Sequence, residues 1–301
     1  MMPTSHTLGA EFTRASRRAV DFVSLMKPRI LLMVLLTTCA GFYLGSGSTP
    51  SYEILWQVLT GTALAAGGTL ALNQFLERDL DARMARTRLR PLPASRLQPA
   101  EALLFGVLLA VAGLLYLAVA INTLSSVAAA VTVGSYLFVY TPMKRKTAWC
   151  VIVGAVPGAL PPVIGWAAAT GRLGIEAWVL FAILFVWQLP HTLAIALLYK
   201  DDYERAGIRL LPLIDPDDRL TSYQIVGNCL ILLAVSLLPT LIGFSGPLYF
   251  LGALALGIGM VGCGVTLALR RSTADVRRLV FTSLVQLPVL FLLMVLDRIP
   301  L

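Results

Sequence analysis

Apolar residues in this chain come in runs of about twenty separated by short polar breaks, rather than in amphipathic stripes. A run of that length lets an α-helix rising ~1.5 Å per residue cross a hydrocarbon layer of ~30 Å. None of the runs alternates polar and apolar positions as a membrane β-strand does. The pattern predicts an all-α, polytopic membrane protein with nine transmembrane helices. The spans fall near 29–47, 54–73, 100–119, 123–141, 149–169, 176–198, 223–243, 247–268 and 279–297. Two divisions rest on short breaks, Ile121-Asn122-Thr123 and Gly243 to Pro247, and both carry turn residues. Residues 1–28 then form a cytoplasmic N-terminal arm and 29–301 a single transmembrane domain.

Composition sharpens this picture. The 301 residues are 57% hydrophobic and 13% charged, which excludes an ordinary soluble globular chain. Lys and Arg in short loops stay cytoplasmic and so orient the spans. Of the 24, all but Arg172 and Arg298 fall in the arm or in the second, fourth, sixth and eighth loops. The N-terminus is therefore expected inside and the C-terminus outside. This asymmetry and attraction to anionic lipid account for the net charge of +8, so no nucleic-acid partner is needed. The arm has the outline of a signal peptide, but Lys27-Pro28-Arg29 leads straight into a full span, which reads as a retained arm. With no transit peptide, the reading favours a bacterial inner membrane. Cys39, Cys150, Cys229 and Cys263 lie in different spans without disulfide or zinc spacing and read as small apolar residues.

The acids are distributed less simply. Nine of 16 lie in two cytoplasmic loops: Glu77, Asp79 and Asp81 in the second, and Asp201, Asp202, Glu204, Asp215, Asp217 and Asp218 in the sixth. Acids contribute little to topology, so their concentration needs another cause. Asn73, Glu77 and Asp81 are four apart, which puts an amide and two carboxylates on one face of a helix leaving the membrane. A hard cation such as Mg²⁺ takes such oxygens together with phosphate and water. The bland alternative pairs these acids with nearby arginines. Arg83, Arg86, Arg88 and Arg90 outnumber the loop's carboxylates, however, and leave room for an anion such as a diphosphate.

The sixth span ends in Lys200-Asp201-Asp202-Tyr203-Glu204-Arg205, and acids at a helix C-terminus are unfavourable without a cation. The patch Asp215 to Asp218 reads as a solvated turn. Within that span, Trp187-Gln188-Leu189-Pro190-His191 is the most polar intramembrane stretch, and such ionisable residues are candidates for function. Eleven helical steps separate His191 from Asp202, an offset of ~20° and roughly 16 Å, so His191 is expected to face the same cavity at greater depth. A histidine hydrogen-bonded between helices is the competing reading. Gly61, Gly67, Gly68 and the run Gly154 to Gly158 read as close helix packing.

Several segments together resemble the intramembrane prenyltransferases and, within them, the protoheme IX farnesyltransferase (heme O synthase) family. They are Lys27-Pro28-Arg29, Asn73 to Leu92, Tyr140-Thr141-Pro142 with Lys144-Arg145, Gly154 to Pro162 with Gly165-Trp166, and Trp187 to His191 leading to Asp202-Tyr203. The resemblance implies nine transmembrane helices around a central cavity, and farnesyl transfer from farnesyl diphosphate to a vinyl group of heme B with addition of water, giving heme O. It implies Mg²⁺ held by Asn73, Glu77, Asp81, Asp201 and Asp202 with Asp79 nearby, and diphosphate contacts from Arg86, Arg90, Lys144 and Arg145. His191, Asp81 and Asp202 are then the residues expected to carry the chemistry. A heme A synthase or oxidase assembly factors would be partners, beside membrane lipid. Glu77 departs from the family's usual Asp, and Cys150 stands where Asn is frequent. A sister enzyme acting on a quinone precursor or chlorophyll-type ring would share both motifs. A transporter would also place acids in a helical bundle, but nearer the midplane.

Overall fold

The structure is a computed structural model and describes residues 16–47 and 49–299. His6 and Arg14 of the arm lie outside these residues. Among the described residues, nine helices are long and apolar enough to cross a membrane. They are α1 Pro28–Gly45, α2 Tyr52–Asp81, α3 Pro99–Ala120, α4 Thr123–Met143, α5 Cys150–Thr170, α6 Ile175–Leu198, α7 Arg219–Leu241, α8 Pro247–Arg270 and α9 Thr273–Leu296. The short breaks are real turns. Asn122 caps α4 by accepting from the Ser125 amide at 2.8 Å, and Gly243, at φ 89°, takes a left-handed backbone after α7.

Two predicted ends differ by more than four residues, both because hydropathy is blind to polar helix. The second span was expected to stop near 73, yet α2 continues to Asp81. The ninth was expected to start near 279, yet α9 begins at Thr273, where Ser272 caps it by accepting from the Asp275 amide at 3.2 Å.

Small residues let the helices approach closely. A Cβ on Gly68 would sit 2.4 Å from the Ala110 nitrogen of α3, and one on Gly165 of α5 would sit 1.9 Å from the Thr38 carbonyl oxygen of α1. The predicted packing role of these glycines thus holds at Gly68. Leu160 precedes Pro161-Pro162 and divides α5 into Cys150–Ala159 and Pro161–Thr170. On the face opposite the acidic motifs, Arg298 donates to the Tyr43 carbonyl at 2.6 Å and covers the Tyr43 ring, joining the end of α9 to α1.

The other face carries the polar loops. Residues 16–25 are helical, and Gln74 of α2 donates to the Leu25 carbonyl at 2.9 Å. The loops after α2, α4 and α6 meet there. The Ala85 amide donates to Asp202 at 3.1 Å, and the Arg209 amide donates to the Lys144 carbonyl at 2.8 Å.

Candidate active site

The site is built on the extra turns of α2. Because the helix outlasts the apolar run, Asn73, Glu77 and Asp81 stay four apart on one face, and all three are buried. Each faces a cation from a different segment. Asn73 Oδ1 accepts from Lys27 Nζ at 2.7 Å, Glu77 Oε1 from Lys144 Nζ at 2.6 Å and Asp81 Oδ2 from Arg90 Nη1 at 2.7 Å. Buried charges this close to one another are stable only as such pairs.

Local geometry on α4 delivers Lys144. Residues Ser135–Tyr140 form a π-helical turn, in which the Thr141 hydroxyl donates to the Tyr136 carbonyl at 2.8 Å. Thr141 Oγ1 in turn accepts from Asn73 Nδ2 at 3.2 Å, which fixes the amide so that its oxygen faces Lys27. Lys144 Nζ lies 4.5 Å from the Tyr140 ring centroid. Burial opposes the charge on Lys144, but Tyr140 and Glu77 hold its pKa well above the ordinary lysine value. Lys27 goes the other way. Burial, reinforced by the neighbouring Arg90, lowers its pKa to about 7.

These side chains enclose a polar chamber of about 130 Å³, to which Arg86, Tyr203, Cys150 and Thr192 also contribute. Arg86 donates to the Tyr203 hydroxyl at 2.7 Å and lies over the Tyr199 and Tyr203 rings. Beneath it is a second chamber of about 220 Å³ whose walls are almost wholly apolar, with Ala65, Ala129, Gly154, Pro157 and Ile164 among them. Tyr140, Val151 and Thr192 line both chambers. The cation-rich chamber and the apolar one therefore adjoin at these three residues.

Not every candidate enters it. Glu77, Asp81, Arg86, Arg90 and Lys144 line the polar chamber and Asn73 is tied to it through Lys27, whereas Asp79 and Arg145 line an outer groove beside Leu137 and Phe138 that Glu77 also borders. Asp201 is exposed. Asp202 is buried, but its carboxylate is spent on the Ala85 amide and on Arg205. His191 is turned toward α9, with Nδ1 2.7 Å from Ser283 Oγ and its ring stacked on Trp187 at 4.7 Å. Its neighbours Gln188 and Thr192, also four apart, line the apolar chamber instead. Lys27, Tyr140 and Tyr203 stand in segments that carried the resemblance but were given no role there, and Thr192 was not singled out at all; all four line the polar chamber. Thr192 had a signal, a hydroxyl one turn beyond Gln188 in an apolar span.

The same architecture occurs in solved membrane proteins. A digeranylgeranylglyceryl phosphate synthase structure superposes with a TM-score of 0.77 at 14% identity, covering 93% of this chain and 98% of the other. A UbiA homologue from Archaeoglobus fulgidus bound to GPP and Mg²⁺ superposes with a TM-score of 0.67 at 15% identity, over 91% of this chain and 99% of the other. At these identities the likeness is one of fold. Sequence similarity is closer to the protoheme IX farnesyltransferase of Solibacter usitatus, 48% identical over 287 residues that cover 92% of this chain and 98% of that protein. Residues 34–285 match the UbiA prenyltransferase family, and the chain belongs to that family, as a multi-pass membrane enzyme.

Proposed function

We propose that this protein transfers the farnesyl group of farnesyl diphosphate to a vinyl group of heme B, with addition of water, to give heme O. The observation that carries the proposal is the adjoining pair of chambers, with cations and carboxylates in one and largely apolar walls in the other. The high identity to a protoheme IX farnesyltransferase over nearly the whole chain supports heme as the acceptor.

The donor set fits a divalent cation. Asn73, Glu77 and Asp81 offer only oxygen, the preference of Mg²⁺. Among the described residues no three acidic, histidine or cysteine side chains form a ready-made cage, which suits an ion that keeps water and phosphate as its remaining ligands. Bound there, Mg²⁺ would neutralise charge growing on the departing diphosphate. The Archaeoglobus fulgidus homologue, which holds GPP and Mg²⁺, supports this use.

The chain's own residues account for the rest. Lys27, Lys144 and Arg90 line the polar chamber and would contact the diphosphate oxygens, and Arg86 adds a guanidinium braced by Tyr203. The apolar chamber takes the isoprenoid tail and keeps water from the allylic centre as the carbon–oxygen bond to diphosphate breaks. Tyr140 lines the junction, with the Lys144 ammonium 4.5 Å from its ring centroid. The vinyl carbon of heme forms the new bond, water adds to the resulting cation, and the released proton needs a base. His191, held against α9 by Ser283 and Trp187, lines neither chamber and is not assigned that step. The acidic loops are proposed to face the cytoplasm of a bacterial inner membrane.

The test is to incubate membranes containing the protein with heme B, farnesyl diphosphate and Mg²⁺, with and without EDTA, and to weigh the extracted hemes. A farnesylated, hydrated heme that EDTA abolishes is the expected product. Prenylation of a quinone precursor with no new heme would keep the diphosphate site and replace the acceptor.

A further inference from the structure

We propose that the cleft between α5, α6 and α7 seats the acceptor, a flat apolar macrocycle with carboxylates at one edge; the inference rests on the reaction proposed above. In a prenyl diphosphate the reacting carbon joins the phosphate oxygen to the tail. It must therefore lie where the polar and apolar chambers meet, at Tyr140, Val151 and Thr192. An acceptor has to reach that point from a space of its own.

A cavity of about 270 Å³ opens on the outer flank of the bundle and shares Val151 with both chambers. Exposed Trp149 and the aliphatic side chains of Leu189 and Leu193 form its apolar wall. The fourth side is unusual for a surface facing lipid. Gln224 and Asn228, four apart on α7, both line the cleft, and among the described residues neither amide has a hydrogen-bond partner. An unpaired amide in a membrane flank is costly, and a polar group on a ligand would offset that cost. A methyl added at Gly227 would meet nothing within 4 Å, so that side of α7 is open, while Ile225 and Cys229 on another side are buried against neighbouring helices.

Charge is consistent with the same occupant. Exposed Lys146 and Arg209 lie two residues before Ala148 and Leu211, which line the cleft at its loop end, so carboxylates directed that way would meet cations. The macrocycle's apolar body would then lie against Trp149 and Leu193, with one edge reaching over Val151 to the junction.

The test uses the full-length protein in lipid nanodiscs. Heme B is titrated by absorbance without farnesyl diphosphate, and farnesyl diphosphate binding with Mg²⁺ is measured separately, for wild type and the Gln224→Leu/Asn228→Leu double variant. Leucines facing lipid remove the amides without burdening the fold. The expected result is a heme Kd raised about tenfold with farnesyl diphosphate binding unchanged, as loss of two modest hydrogen bonds gives. In turnover the KM for heme rises while kcat holds. Equal heme affinity in wild type and variant overturns the cleft and leaves the reaction standing. Wild type that binds farnesyl diphosphate but no heme overturns the reaction and, with it, this occupant. A photoreactive side chain at Gln224 gives an independent reading. Heme in the crosslink supports the cleft, and lipid or a second protein in its place overturns it.

Discussion

At the end of α2, Asn73, Glu77 and Asp81 sit buried on one helix face, each against a cation, whereas at the end of α6 Asp201 is exposed and Asp202 binds a backbone amide. The two segments look alike on paper, carboxylates mixed with basic residues after an apolar span. What separates them is where the helix stops. Helix α2 runs unbroken through its acids, so spacing by four becomes a shared direction. Helix α6 ends at Leu198; Tyr199 adopts φ −116° and ψ 32°, and a short helix Lys200–Arg205 restarts in a new direction. The first cluster therefore builds a chamber. The second closes it, by pinning the loop that carries Arg86.

The comparison breaks first at Asp81. Asp81→Ala is expected to lower heme O formation by ~10³-fold, since it removes an oxygen ligand and releases Arg90 from its place. Arg90 is about one third exposed and can be hydrated, so the variant should still fold. Activity within tenfold of wild type at matched protein level would sink the assignment of the α2 face. Lys144→Met comes next, at roughly 10²-fold, because one diphosphate contact is lost while Glu77 is left buried without its partner. A Lys144→Met enzyme that binds farnesyl diphosphate as tightly as wild type would exclude Lys144 from the anion site.

Asp202→Ala should cost less, roughly tenfold, and the loss should lie in KM for farnesyl diphosphate rather than in kcat. The carboxylate holds the Ala85 amide and Arg205, so its removal loosens Arg86 without changing the charge that faces the substrate. A fall confined to kcat would instead make Asp202 a metal ligand and erase the contrast drawn between the two helix ends.

This contrast marks where sequence reading succeeds. Span positions followed from hydropathy because the membrane demands long apolar helices, and most ends were placed within a few residues. Convergence of Asn73, Glu77 and Asp81 was legible because helical periodicity is local. What was not legible depends on contacts between segments. The resemblance supplied Lys144, but nothing local said that a π-helical turn at Ser135–Tyr140 would set it on Glu77. The turn of His191 toward Ser283, rather than toward the cavity, depends on α9, ninety-two residues away. Periodicity measured from Asp202 missed it because the helix does not continue from one to the other.

The smallest expected effect is also the sharpest test of this argument. Asp79 belongs to the same acidic motif as Glu77 and Asp81, and a reading of the motif alone makes it a metal neighbour. Two residues along a helix amount to a rotation of ~200°, which sends its side chain to the opposite face. The structure agrees: the Asp79 side chain is 82% exposed, its contact with Arg78 is a loose 3.9 Å, and it opens on the outer groove with Arg145. A solvated pair of this kind contributes little. Asp79→Asn should therefore leave activity within about twofold of wild type and the Mg²⁺ concentration for half-maximal rate unchanged, the scale of an exposed charge. If the variant needs much more Mg²⁺, the ion sits outside the chamber, between Asp79 and Arg145, and the face of α2 on which the site is built is the wrong one.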